Sequence, residues 1–154
     1  MAVHAAGILP FNKDEDGLWV FIVHMGGPFW ARRDSASWSL AKGVFDPAEE
    51  TPTDAARREF AEETGAEVPV GELRDLGEVR LSSGKHVRGF AVEAPRTLAF
   101  VSSNDFEVEW PPRSGIVKVY PEVDRAEWVL IDEARKRVVR GQLPLLDALE
   151  RLVG

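Results

Sequence analysis

The chain has 154 residues, 44% of them hydrophobic and 29% charged, with no cysteine and a formal net charge of −7. That length suits one domain with a single good core. The charge balance excludes broad nucleic-acid binding, which needs a basic surface, and the absence of thiols excludes disulfides, thiolate metal sites and a cysteine nucleophile. No apolar run spans a bilayer, and the start MAVHAAGILPF is neither basic enough nor apolar for long enough to be a signal peptide, so a cytoplasmic protein without membrane contact is expected.

Taken in chain order, residues 4–11 read as a strand and the polar run 12–17 as a turn ending in Gly17, so a hairpin follows. Residues 18–25, LWVFIVHM, are almost continuously apolar, with β-branched and aromatic side chains, the pattern of a central strand. His24 at its end reads as structural ahead of catalytic. The loop 26–37 carries Phe29, Trp30, Arg32 and Arg33. Arginine forks onto phosphate oxygens and exposed aromatics stack on bases; the plain alternative is a surface loop folded back on the core. Residues 38–43 form a short strand in which Lys42 is a point charge able to meet a phosphate.

Residues 43–66 organise the chain. The second half of this stretch predicts a helix, with Pro52 at its entrance, Thr53 or Asp54 as its cap and Gly65 as its stop. Glu59, Glu62 and Glu63 stand at i, i+3 and i+4, on one face. Partly shielded, each such pair costs on the order of 2–3 kcal/mol at about 6 Å and an effective dielectric near 20. The three also sit in the last turns, where the helix dipole prefers cations. Arg58 reaches Glu62 at i+4, with Asp54 competing for it, and at least two negative charges stay unbalanced. A solvated acidic face is one reading; a hard divalent cation with oxygen ligands, Mg2+ first, is the other.

Beyond the helix, residues 73–81 and 86–93 read as strands about the turn 82–85, and residues 94–105 as partly loop. Residues 106–110 alternate apolar and acidic, a half-exposed strand with Glu107 and Glu109 on its polar face. Residues 111–115 form a rigid turn presenting Arg113. Residues 121–131 read as a loop entering a strand, with Glu122 six residues before Trp128. Asp132 caps a helix running to about Arg140 and stopped by Gly141. Residues 143–152 form a last amphipathic helix with Leu145, Leu146, Leu149 and Leu152 inward.

The run Arg58-Glu59-Phe60-Ala61-Glu62-Glu63-Thr64-Gly65-Ala66, with Gly43 and Glu50 upstream, resembles the Nudix box. Six residues separate Gly43 from Glu50 where the family has five; the extra one is placed in 44–49, or Glu49 takes the place of Glu50. Lys42 beside Gly43 is similar to the pattern in members acting on dinucleoside polyphosphates or diphosphoinositol phosphates, with Ala41 where those carry proline. The segment SNDFEVEWPPRSG is similar to one in a subset of small bacterial Nudix proteins.

The resemblance implies an α/β fold, an α/β/α sandwich around a mixed sheet. It implies hydrolysis of a nucleoside diphosphate linked to another moiety, with a dinucleoside polyphosphate, a modified nucleoside triphosphate or a nucleotide sugar as substrate, and often a homodimer. Mg2+ or Mn2+ would be held by Glu59, Glu62 and Glu63, with the Gly43 carbonyl as a further ligand. Arg58 would orient the glutamates, and one of these glutamates or Glu122 would be the general base; Glu93, Glu107 and Glu109 are lesser candidates. Lys42, Arg32, Arg33 and Arg113 would meet phosphate, and Trp30, Phe29 or Tyr120 would stack on the base. A Nudix-like module that senses a nucleotide without hydrolysing it is the non-enzymatic alternative.

Overall fold

A computed structural model describes residues 2–154. The chain opens with an antiparallel hairpin of β1 (His4–Asp14) and β2 (Gly17–Met25), in register from Phe11 opposite Val20 to Asp14 opposite Gly17. Polar Asn12, Lys13 and Asp14 keep pairing, so β1 runs beyond its apolar part. The short strand expected next is two, β3 (Trp38–Ser39) and β4 (Ala41–Phe45), broken at Leu40. The first half pairs with β2 and the second crosses to β1, placing Lys42 opposite Gly7.

The far edge of β1 pairs in parallel with β6 (His86–Glu93), which pairs antiparallel with β5 (Arg74–Arg80); β9 (Val123–Leu130) lies along the free edge of β2. Among the described residues these seven strands make one mixed sheet. Helix α1 (Pro52–Thr64) covers one face, setting Ala55, Ala56 and Phe60 against Ile8, Phe21, Val23 and Phe90. Helices α2 (Ile131–Arg137) and α3 (Leu143–Val153) cover the other, setting Ala134, Leu145, Leu146 and Leu149 against Leu9, Val20, Ile22 and Val87. This is the α/β/α sandwich around a mixed sheet that the sequence reading anticipates. A strand covered on both faces has no polar side, which is why β1 and β2 read as unbroken apolar runs.

Several boundaries differ from expectation. The cap of α1 is Thr51, whose hydroxyl accepts from the Asp54 N–H at 3.2 Å; Pro52 is the first helical residue, so Thr53 and Asp54 already lie inside. Gly65 ends the helix as expected, at φ 69°. Helix α2 stops at Arg137 rather than Arg140, with Leu130 in the cap position and no side-chain cap, so Asp132 sits in its first turn. Gly141 falls in a 3-10 turn, Arg140–Gln142. Leu152 is 38% exposed and does not join Leu145, Leu146 and Leu149 in the core.

The strand expected within 121–131 is present as β9, and the loop expected to lead into it shrinks to a single residue. β7 (Asp105–Glu109) and β8 (Val117–Pro121) form a separate two-stranded ribbon, and Glu122 alone joins β8 to β9. Arg113 sits in the turn at the ribbon tip, where Glu109 accepts from the backbone N–H groups of Arg113 and Gly115.

Candidate active site

The site grows from α1. Arg58 lies at its centre: Nε and Nη2 donate to the two Glu50 oxygens at 2.9 and 2.8 Å, and Nη1 donates to Glu59 at 2.8 Å and Glu62 at 3.0 Å. This fork raises the arginine above its usual range and lowers the Glu50 carboxyl. Glu49 is exposed, and of the two neighbouring glutamates it is Glu50 that meets Arg58. Glu50, not Asp54, competes with Glu62 for Arg58.

Glu59 is buried, and its carboxylate lies against the bare Cα of Gly43 on β4; a Cβ at that glycine would fall 1.8 Å from a Glu59 oxygen. Burial pushes the Glu59 carboxyl up while Arg58 pulls it down. Glu63 is pushed up to about 8, first by burial and then by repulsion from Glu122 and Glu59, with Lys42 opposing. Burial also pushes the Lys42 ammonium down and Lys85 adds to the effect, against the pull of Glu63, Glu59 and Glu122.

Glu122 comes from 59 positions beyond Glu63 and is held by backbone alone. The Asn104 N–H donates to the Glu62 carbonyl at 3.0 Å, the Glu122 N–H to the Asn104 carbonyl at 2.7 Å, and the Gly26 N–H to the Glu122 carbonyl at 2.9 Å. The end of α1, the segment at Asn104, the β8–β9 junction and the end of β2 are thereby laced together.

The result is a cavity of about 350 Å³ lined by Glu59, Glu62, Glu63 and Glu122, with Gly43, Lys42, Lys85 and Asn104 completing it. A recess of about 150 Å³ adjoins it, walled by Trp30 and Phe106 and sharing Lys42, Glu63 and Glu122. Of the residues singled out in the sequence, the fold brings Gly43, Lys42, Trp30, the three helical glutamates and Glu122 to this cleft. Arg58 stands behind it. Arg32, Arg33, Arg113, Phe29 and Tyr120 do not line it. Arg33 stacks its guanidinium on Phe29 at 4.4 Å, and Tyr120 packs beside Phe106 on the ribbon. Glu93, Glu107 and Glu109 also lie outside it.

Phe106, Lys85 and Asn104 escape the sequence reading. Phe106 sits in an alternating strand like any half-exposed residue, and Lys85 in an ordinary polar turn; only the fold places them. His24 is buried and structural: Nε2 donates to the Arg33 carbonyl at 2.7 Å, and Nδ1 lies 2.9 Å from Asp124. It ties the loop 26–37 to β2 and β9.

The donor set fits a hard divalent cation. Four carboxylates share one cavity, burial and then their repulsion raise Glu63, and Gly43 leaves the space that Glu59 fills. Among the described residues no three acidic or histidine side chains already converge on one ion-sized point; Arg58 holds Glu59 and Glu62 on its own nitrogens.

Comparison with known proteins gives the family and the fold. The family described as NUDIX domain matches residues 1–149. Solved structures are similar in fold at low identity. A Caenorhabditis elegans Ap4A hydrolase binary complex is 17% identical, covering 97% of each chain, with a TM-score of 0.65. The NUDIX domain of Shewanella oneidensis NrtR, complexed with ADP ribose, is 14% identical over 100% of this chain and 90% of that one, with a TM-score of 0.64. The Mycobacterium smegmatis Nudix hydrolase RenU is 22% identical over 97% and 84%, with a TM-score of 0.58. No curated protein matches the chain. The fold and the carboxylate helix define a Nudix-type pyrophosphohydrolase, a hydrolase of phosphorus anhydrides. The chain belongs to the Nudix family.

Proposed function

We propose that the protein hydrolyses a pyrophosphate linkage in a nucleoside diphosphate joined to a second group, a dinucleoside polyphosphate first, with Mg2+ or Mn2+ as cofactor. The observation that carries this is the meeting of Glu59, Glu62, Glu63 and Glu122 with Lys42 and Lys85 in one cavity. Glu59, Glu62 and Glu63 would hold the ion, and the family resemblance adds the Gly43 carbonyl. A bound divalent ion makes its water a better nucleophile and neutralises charge on phosphate oxygens.

The chain's own residues supply the rest. Phosphoryl-type substitution asks for positioning and charge neutralisation more than covalent help. Lys42 and Lys85 meet non-bridging oxygens. Trp30 and Phe106 form a stacking slot for a base. Glu63 or Glu122 accepts the proton of the attacking water; the water oxygen bonds to phosphorus, the bridging P–O bond breaks, and the leaving phosphate takes the electron pair. Arg58 keeps Glu59 and Glu62 aimed and damps their repulsion. Arg32 and Arg33, beside Trp30, are available only to parts of a substrate outside the cavity.

Two comparisons support the substrate class: one structural neighbour is an Ap4A hydrolase and another holds ADP ribose. The test is product release from a dinucleoside polyphosphate, a modified nucleoside triphosphate and a nucleotide sugar, each with Mg2+ or Mn2+. Cleavage of the dinucleoside polyphosphate is expected. Tight binding of nucleotides with no cleavage of any of the three would favour the sensing module.

Gly43→Ala probes the metal reading separately. The added methyl meets the free end of a flexible side chain, so the fold is expected to survive while the Glu59 carboxylate is displaced. Mg2+ affinity, read by calorimetric titration, should fall on the order of 10–100-fold. Unchanged affinity would remove Glu59 from the ligand set.

A further inference from the structure

His24 is fully buried at the end of β2, with Trp38 packed edge-on against its ring at 5.1 Å. Both ring nitrogens have partners, the Arg33 carbonyl at 2.7 Å and the Asp124 carboxylate at 2.9 Å. A buried ring bonded at both edges has one orientation, because any other leaves a polar atom unsatisfied. One partner belongs to the loop that carries Trp30. The other stands two residues beyond Glu122.

At the first end, the Arg33 carbonyl also accepts from the Ser37 hydroxyl at 3.0 Å, and the Arg33 N–H donates to the Trp30 carbonyl at 2.9 Å. The Arg33 guanidinium lies 4.4 Å over Phe29, whose ring meets Trp30 edge-on at 4.8 Å. The start of the loop is wedged against the ribbon: Gly27, at φ 95°, lies so near Phe106 that a Cβ would come 2.8 Å from its ring. With that end fixed, the hold on Arg33 decides where Trp30 stands across the recess from Phe106.

At the second end, β2 and β9 pair in steady register from Trp19 opposite Leu130 to His24 opposite Arg125, but the next pair is Met25 opposite Val123. Asp124 is the extra residue of a β-bulge. The bulge changes which way the strand's side chains face. Trp128, Ala126 and Val123 all pack in the cluster beneath α1, spaced by two and then by three; regular alternation would turn Val123 to the opposite face. Asp124, left out of the ladder, meets His24, and Glu122 follows into the cavity beside Glu63. Bulges recur next to active sites because they re-aim side chains in this way.

We infer that His24 is a positioning residue that sets two parts of the cleft against each other: through Arg33 the aromatic wall at Trp30, and through Asp124 the carboxylate of Glu122. It touches neither substrate nor ion and acts only through these two partners. The inference rests on the hydrolase reading above.

Three variants separate the two ends. In His24→Asn the amide nitrogen falls where Nδ1 stood, so the bond to Asp124 survives and the hold on Arg33 is lost. In His24→Gln the amide reaches the position of Nε2, so Arg33 is held and Asp124 is released. Asp124→Ala, at a half-buried position, releases the same end and leaves the ring in place. With diadenosine tetraphosphate and Mg2+, His24→Asn is expected to raise KM about tenfold at near-wild-type kcat, the mark of lost ground-state binding. His24→Gln and Asp124→Ala are expected to lower kcat by up to about 100-fold with KM little moved. The 15N-indole resonance of Trp30, assigned by its loss in Trp30→Phe, should shift in His24→Asn and stay in place in Asp124→Ala. If the His24 variants do not fold, Ser37→Ala, which removes the second bond to the Arg33 carbonyl, replaces His24→Asn in the same comparison. Folded variants that all change kcat and KM alike, or not at all, would overturn the positioning role and leave the hydrolase standing. Wild type that leaves the substrate uncut would count against the hydrolase reading; the Trp30 resonance then decides, and an unmoved signal in His24→Asn would overturn the clamp as well.

Discussion

Glu63→Gln is expected to lower turnover of a dinucleoside polyphosphate by about 10²–10⁴-fold and, in chelator, to raise the Tm of the protein at pH 9. Glutamine keeps the size and one acceptor oxygen of the side chain but neither its charge nor its basicity. Glu63 is also where the fold is least at ease: burial and the neighbouring Glu122 and Glu59 push its carboxyl from an ordinary 4.5 up to about 8. Between those two values the folded state holds a proton that the unfolded state has lost. The group's contribution is therefore fully present below about pH 4.5 and is lost as pH climbs through about 8. Glutamine never ionises and escapes that loss. The variant should match wild type near pH 4 and exceed it at pH 9, as read by thermal unfolding. A variant less stable than wild type at pH 9 would show that Glu63 is not strained in the metal-free site.

Mg2+ should do for wild type what the mutation does, without loss of activity. A ligand that binds only the folded state stabilises it by RT ln(1 + [L]/Kd), about 2.7 kcal/mol at a hundredfold excess over Kd. Proton and cation compete for the same Glu63 oxygens, so the Mg2+-induced rise in Tm should be larger at pH 9 than at pH 6. Scanning calorimetry at fixed Mg2+ over that range checks it. A rise of equal size at both pH values would place the ion away from Glu63.

The local part of this site was legible in the sequence and the non-local part was not. Glu59, Glu62 and Glu63 share a face because helical spacing dictates it, and Arg58 reaches Glu62 for the same reason. The central strands announced themselves because both faces of the sheet are covered. The cap lies two or three residues before Thr53 and Asp54 because Pro52 is comfortable as the first helical residue, which moves the capping role back to Thr51. β8 is not among the expected strands although residues 116–120, IVKVY, carry a strand's β-branched and aromatic residues; its alternating Val117 and Val119 are exposed and face no core. α2 ends earlier than its sequence suggests because Val138 and Val139 are drawn off by Trp38, a tertiary pairing that no helix propensity reveals. Phe106, Asn104 and Lys85 reach the cleft only through such long-range pairings, and their own neighbours in sequence carry no mark of it.

The most direct test is a single-turnover reaction in 18O-water, with enzyme in excess over a dinucleoside polyphosphate and Mg2+ present, run for wild type and Glu63→Gln side by side. The carboxylate cleft as reaction centre predicts one 18O atom in one product of wild type, at the phosphorus attacked, and almost no product from the variant on the same timescale. Equal label and equal rate in both proteins would contradict it.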